Sequence, residues 1–189
     1  MKTKVVLVLV LATILSVSVS AQEVKADLTK SELKWNAKKV TGEHIGTIKL
    51  KEGELALKGE QIGSGKFVID MKSIVDEDLP VGEWNNKLVG HLKSDDFFGV
   101  EKYPESVLVI TGSTPFVNNK ATVKGKLTIK GITNPIEFEA TRAENVYTSH
   151  ITVDRTLYNV RYGSGKFFEN LGDKTIYDDF YLDVKLVTL

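Results

Sequence analysis

The chain contains no cysteine, which excludes disulfides, thiolate zinc sites, iron–sulfur clusters and cysteine nucleophiles together. Histidine occurs three times and proline four times. An excess of one charge is missing too, since 25 Lys and Arg balance 25 Asp and Glu. A nucleic-acid binder would carry a basic surplus for phosphate contacts, so that class is set aside. Apolar residues are not scarce: they make up 42% of 189 residues, enough for a real core in one domain or two small ones and too many for a disordered chain.

Long apolar runs are absent except at the start. Lys2 and Lys4 precede an apolar stretch from Val5 to Leu15, and small residues follow, ending Val19-Ser20-Ala21. A basic region, an apolar core and a small-x-small ending make a secretory signal peptide, expected over residues 1–21 with cleavage after Ala21. The run breaks up at Ser16, Ser18 and Ser20, short of the roughly 20 apolar residues a membrane span needs. The expected product is therefore exported, to a periplasm or outside the cell. It is one domain over residues 22–189, with no membrane-spanning segment.

That domain reads as strands. In Ala121–Lys130, Val123, Leu127 and Ile129 fall on one face, with Lys124, Lys126 and Thr128 on the other. Phe180, Leu182, Val184 and Leu186 alternate in the same way with Tyr181, Asp183 and Lys185. Period-two alternation marks half-buried strands. It recurs over 33–37, 45–50, 54–58, 66–71, 107–110, 136–140 and 147–153, with turn signals at 51–53, 118–119, 131–135 and 144–145. These are about nine short strands at the spacing of sandwiches and barrels. One interruption is helical: Trp84, Leu88 and Leu92 recur every four residues between Glu83 and Ser94, with Phe97 and Phe98 directly after. One such helix cannot fold alone, so it is expected to close one end of the sheet structure.

Motifs that carry chemistry mostly fail inspection. Gly-Ser-Gly-Lys-Phe occurs at 63–67 and 163–167. Neither copy has the earlier Gly or the Ser/Thr after Lys that a phosphate loop requires, so both read as turns or bulged strand. His91, Asp95 and Asp96 are too few for a hydrolytic zinc site. Asp76-Glu77-Asp78 lacks the Gly and the distant Glu of a calcium loop and reads as a solvated turn. Ser64 and Ser164 have no histidine partner, and the adjacent acids Asp178 and Asp179 point to opposite faces of an extended segment. No catalytic set, metal site or resident cofactor is expected. A closed antiparallel barrel of about eight strands can hold side chains or one small ligand. The expected inward residues are Trp35, Phe67, Ile69, Met71, Leu108, Ile110, Leu127, Ile129, Ile136 and Phe138.

Two segments then carry a resemblance. Residues 90–98, Gly-His-Leu-Lys-Ser-Asp-Asp-Phe-Phe, followed by Glu101-Lys102-Tyr103-Pro104-Glu105, resemble a signature of the YceI-like family of exported, polyisoprenoid-binding proteins. Residues 125–136, Gly-Lys-Leu-Thr-Ile-Lys-Gly-Ile-Thr-Asn-Pro-Ile, are similar to that family's hairpin. Weaker echoes are His44-Ile45-Gly46 and Phe67–Ile74. The resemblance covers residues 27–188. It implies a lipocalin-like barrel with a helical lid and an apolar tunnel for an isoprenoid tail, such as that of a polyprenyl quinone or alcohol. Trp84, Leu88, Leu92, Phe97 and Phe98 would then form the lid, with a head group near Asp154 and Arg155. Residues 155–179 depart from the family pattern and are expected to loop over the other end of the barrel. The leading expectation is a non-enzymatic lipid carrier. An enzyme acting on such a lipid and a fully packed interaction barrel are the alternatives, and a homodimer is an assembly left open.

Overall fold

The computed structural model describes residues 21–189, so the signal peptide expected over 1–21 lies, apart from Ala21, outside the described residues. Nine strands and one α-helix are formed: β1 (Gln22–Lys25), β2 (Glu32–Lys39), β3 (Gly42–Lys58), β4 (Gln61–Asp76), α1 (Glu83–Lys93), β5 (Glu105–Ser113), β6 (Lys120–Ile129), β7 (Ile132–Ala143), β8 (Val146–Asp154) and β9 (Ile176–Val187). Each strand from β2 to β9 pairs antiparallel with its neighbour in sequence, and β9 returns to β2. The expected eight-stranded barrel therefore closes. The extra strand β1 lies against the far half of β3, with Val24 opposite Leu55.

Tight turns fix the register of the hairpins. Lys130 and Gly131 both have positive φ (51° and 76°) between the paired Ile129 and Ile132, and Asn118 and Asn119 do the same between Val117 and Lys120. Such two-residue turns match the twist of the strands they join. The turn at 131–135 is thus shorter than expected, and Pro135 lies inside β7. There β7 has β6 on one side only, since its pairing with β8 is confined to residues 140–143. Proline is tolerated on a strand with an open side.

The expected turn at 51–53 does not exist, and β3 runs through it. Register shifts between Thr47 and Lys49 and between Leu50 and Glu52 bend the strand without ending it. Gly53 belongs to the packing here: a Cβ would stand 2.8 Å from the Ala26 methyl and 2.9 Å from the Phe67 ring.

Antiparallel order sends β2, β4, β6 and β8 toward one end of the barrel. The β4–β5 connection carrying α1 and the long β8–β9 connection therefore emerge together. The aromatic-rich stretch after Arg155 sits beside the helix and not over the opposite end as expected: the His91 and Tyr162 rings meet edge to face at 4.3 Å. Asp76, expected in a solvated turn, is the buried last residue of β4. At the opposite end the Phe116 and Tyr147 rings meet at 6.0 Å.

Candidate functional site: an apolar tunnel with a plugged end

The inward side chains do not fill the barrel. Two cavities of about 90 and 70 Å³ lie end to end along its interior. The lower one is lined by Phe67, Leu108, Ile110, Phe138, Tyr147 and Leu186, among others. The upper one, beneath the helix, is lined by Trp35, Met71, Leu92, Phe97, Phe98 and Ile129 with Phe180 and Arg155. Ile69, Leu127 and Leu182 border both and form a waist between them.

Most of the inward residues expected from alternation are brought together here, including Ile136 in the lower cavity. The β9 series of Phe180, Leu182, Val184 and Leu186 also lines the tunnel. Its alternation was visible in the sequence, and only closure of β9 onto β2 shows that this face points inward.

The lid differs from expectation in one residue. Leu92, Phe97 and Phe98 are buried and seal the upper cavity, and Leu88 packs on the core from outside it. Trp84 is 69% exposed and touches neither cavity. The helix start is held by Asn85, whose amide donates to the Asp76 and Leu79 carbonyl oxygens and to the Asp76 carboxylate. With residue 85 facing the barrel, Trp84 turns to solvent beside the Lys87 ammonium.

The plug is pinned from the β6–β7 turn. The Lys130 ammonium donates to the carbonyls of Asp95 and Phe97, each at 2.8 Å. Burial pulls the pKa of that amine below the ordinary lysine value. Phe97 and Phe98 meet edge to face at 5.0 Å, and the Arg155 guanidinium lies over the Phe97 ring at 5.6 Å.

Among the described residues, Arg155 is the one charged side chain in the tunnel wall. It is 2% exposed, and it donates to the carbonyls of Tyr177 (3.1 Å), Val160 (2.8 Å) and Ile176 (3.0 Å). The Asp178 carboxylate stands 3.8 Å away. Burial lowers the guanidinium pKa, although an arginine remains charged in proteins. Asp154 faces outward from the same corner. Burial would raise its pKa, but hydrogen bonds from Lys166 and Thr156 outweigh that and hold the carboxyl below its usual range.

Above Ala140 and Ser149 the β7–β8 ladder ends and the two strands part. Ile136 and Phe138, on the unpaired part of β7, line the lower cavity and are only half-buried. No helix among the described residues is long and apolar enough to cross a membrane.

Comparison with known proteins agrees with this architecture. The first 98-residue match among curated relatives, 32% identical, is to a UPF0312 protein of Pseudomonas putida strain W619; it covers 51% of this chain and 47% of that protein. The chain thus spans about half the length of the curated relatives it matches. Among solved structures, Burkholderia cenocepacia BcnA superposes with a TM-score of 0.69 at 23% identity, over 86% of this chain and 98% of that one. A polyisoprenoid binding domain from Saccharophagus degradans gives 0.59 at 16% identity, over 87% and 97%. At such identities these neighbours show the fold. The YceI-like domain matches residues 24–188, and on that extent the chain belongs to the YceI-like domain family.

Proposed function

We propose that this protein is an exported, non-enzymatic binder and carrier of an isoprenoid or other long-chain amphipathic lipid, with the tail held in the barrel tunnel. The observation that carries the reading is a carbon-lined tunnel whose lid end carries a single guanidinium. Each methylene moved from water into such a wall is worth about 0.8 kcal/mol, so a tail needs no polar contact to bind. The polyisoprenoid-binding name of the Saccharophagus degradans neighbour supports the same ligand class.

The cavity volumes set a condition on binding. Together they resemble a cavity of roughly 150 Å³, which accepts benzene. A longer tail must spread the waist at Ile69, Leu127 and Leu182 or swing Met71 aside. Methionine, unbranched with three rotatable bonds, repacks readily. The head group sits at the lid end, where Arg155 is the charged group in the wall of the upper cavity among the described residues.

Native mass spectrometry tests the proposal, using protein purified without detergent from the export compartment of its host. The expected result is a bound mass of several hundred daltons that is released on unfolding and extracts into organic solvent. A bare protein mass that stays bare when polyprenyl quinones and fatty acids are offered contradicts it.

A further inference from the structure

Outside the tunnel, at the lid end, three side chains converge from three segments. His44 lies near the start of β3, Asp76 ends β4, and Asp78 follows in the connection to α1. The β3–β4 register sets Gly46 opposite Asp76, which brings residues more than thirty positions apart side by side. Between the two acids, Glu77 turns the other way and accepts a hydrogen bond from the Thr47 hydroxyl at 2.8 Å.

Each carboxylate is anchored by one oxygen. Asp76 Oδ1 accepts from the Leu79 amide and from Asn85 Nδ2, both at 3.0 Å, and Asp78 Oδ1 accepts from the Ile45 amide at 2.8 Å. The remaining oxygens face one imidazole nitrogen. His44 Nδ1 stands 3.0 Å from Asp78 Oδ2 and 3.9 Å from Asp76 Oδ2, and all three atoms lie within 4.8 Å of one another. The Asp76 side chain is wholly buried, and its Oδ2 has no hydrogen-bond partner. A buried carboxylate oxygen without a donor is costly to keep.

We infer that His44, Asp76 and Asp78 form a binding site for a divalent transition-metal ion at the foot of the lid helix. Metal–ligand distances of about 2.0–2.2 Å put neighbouring ligand atoms of a tetrahedral ion about 3.4 Å apart, between the two separations His44 Nδ1 makes. One imidazole with two carboxylates suits zinc, iron or manganese, whereas calcium and magnesium favour oxygen ligands alone. His44 and Asp78 are partly exposed, which leaves an approach for the ion and a place for a water ligand. The anchoring amides and Asn85 supply the outer hydrogen bonds that orient metal ligands in known sites. Because Asn85 belongs to α1, an ion here also ties the lid helix to the barrel wall.

The test is calorimetric titration of tag-free protein with Zn²⁺ at neutral pH, with Ca²⁺ and Mg²⁺ as competitors. The expected result is one saturable site that neither competitor displaces and that weakens at least about tenfold in His44→Ala and in Asp78→Asn. Asp76→Asn removes a buried anchor and can unfold the protein, so the two more exposed ligands carry the test. His150→Ala is the control, since His150 forms a separate surface pair with Asp183 at 2.6 Å, and it should bind as the parent does. Absence of saturable uptake overturns the inference, as it would if the two acids merely share a proton. Binding that survives His44→Ala, or is lost only in His150→Ala, overturns it equally.

Discussion

Replacing Ala140 by leucine asks directly whether the barrel interior is open. Ala140 is 4% exposed, sits on β7 opposite Ala121 and lines the lower cavity. In a well-packed core such an enlargement forces side chains off their rotamers and costs roughly 1–3 kcal/mol. Here the added carbons meet empty space. Core cavities cost about 24 cal/mol per Å³, so filling the lower cavity of about 90 Å³ would return up to about 2 kcal/mol. The leucine cannot take all of it without some adjustment of Phe138 and Tyr147, and a gain of about 1 kcal/mol is expected. Urea unfolding should show a higher midpoint with an unchanged slope. In a thermal scan the midpoint should rise by roughly 2–4 °C. The same variant should take up less of any long-chain lipid, because its side chain occupies the tail's path. Destabilisation of more than about 1 kcal/mol would refute the reasoning, since it would mean the space is not there to fill.

Other consequences follow from the lid end. Arg155→Met strands the carbonyls of Tyr177, Val160 and Ile176 and should cost at least about 3 kcal/mol in urea unfolding, as loss of one partner from a buried charged network does. Lys130→Met removes two donors from the plug and should speed hydrogen exchange of the Phe98, Gly99 and Val100 amides by roughly ten- to a hundredfold, with β6 amides unaffected. Asp154 is held below its usual carboxylate range, so its contribution is fully present above an unfolded pKa of about 3.9. It is lost as pH falls from there through the depressed folded value. Protection of the Thr156 amide, which donates to the Asp154 carboxylate, should therefore fall below about pH 4, and Asp154→Asn should let trypsin cut at Lys166 and Lys174 more readily at neutral pH.

The parts of this molecule that local pattern governs were legible before the structure. Alternation in 121–130 and 180–186 placed β6 and β9, the four-residue stripe placed α1, and Asn118-Asn119 and Glu144-Asn145 marked turns that formed. Bulges were not legible. Each one shifts the two-residue period, so β3 read as two strands with a turn at Lys51-Glu52-Gly53. The phase of β4 was legible even though Val68 is buried too, since Phe67, Ile69 and Met71 line the cavities as their alternation indicated. Trp84 looked like the head of the lid stripe because spacing cannot tell which helix residue meets the barrel, and Asn85 took that place through hydrogen bonds to Asp76. Which end residues 155–179 would cover needed the parity of antiparallel strands, and the convergence of His44 on Asp76 needed the β3–β4 register. Volumes are the least legible of all: a list of inward side chains does not say whether they meet across the barrel.

The two tryptophans make the central claim measurable. Trp35 lines the upper cavity and donates to the Val75 carbonyl at 3.1 Å, while Trp84 lies in solvent. A Trp84→Phe variant keeps Trp35 as the only tryptophan, reporting from inside the tunnel. Titrated with a polyprenyl quinone, whose ring quenches indole fluorescence on contact, it should show saturable quenching at one equivalent. A short-chain quinone lacking the tail should quench weakly and without saturation. Unchanged Trp35 emission across the titration, in protein shown to be folded, would contradict the tunnel as the lipid site.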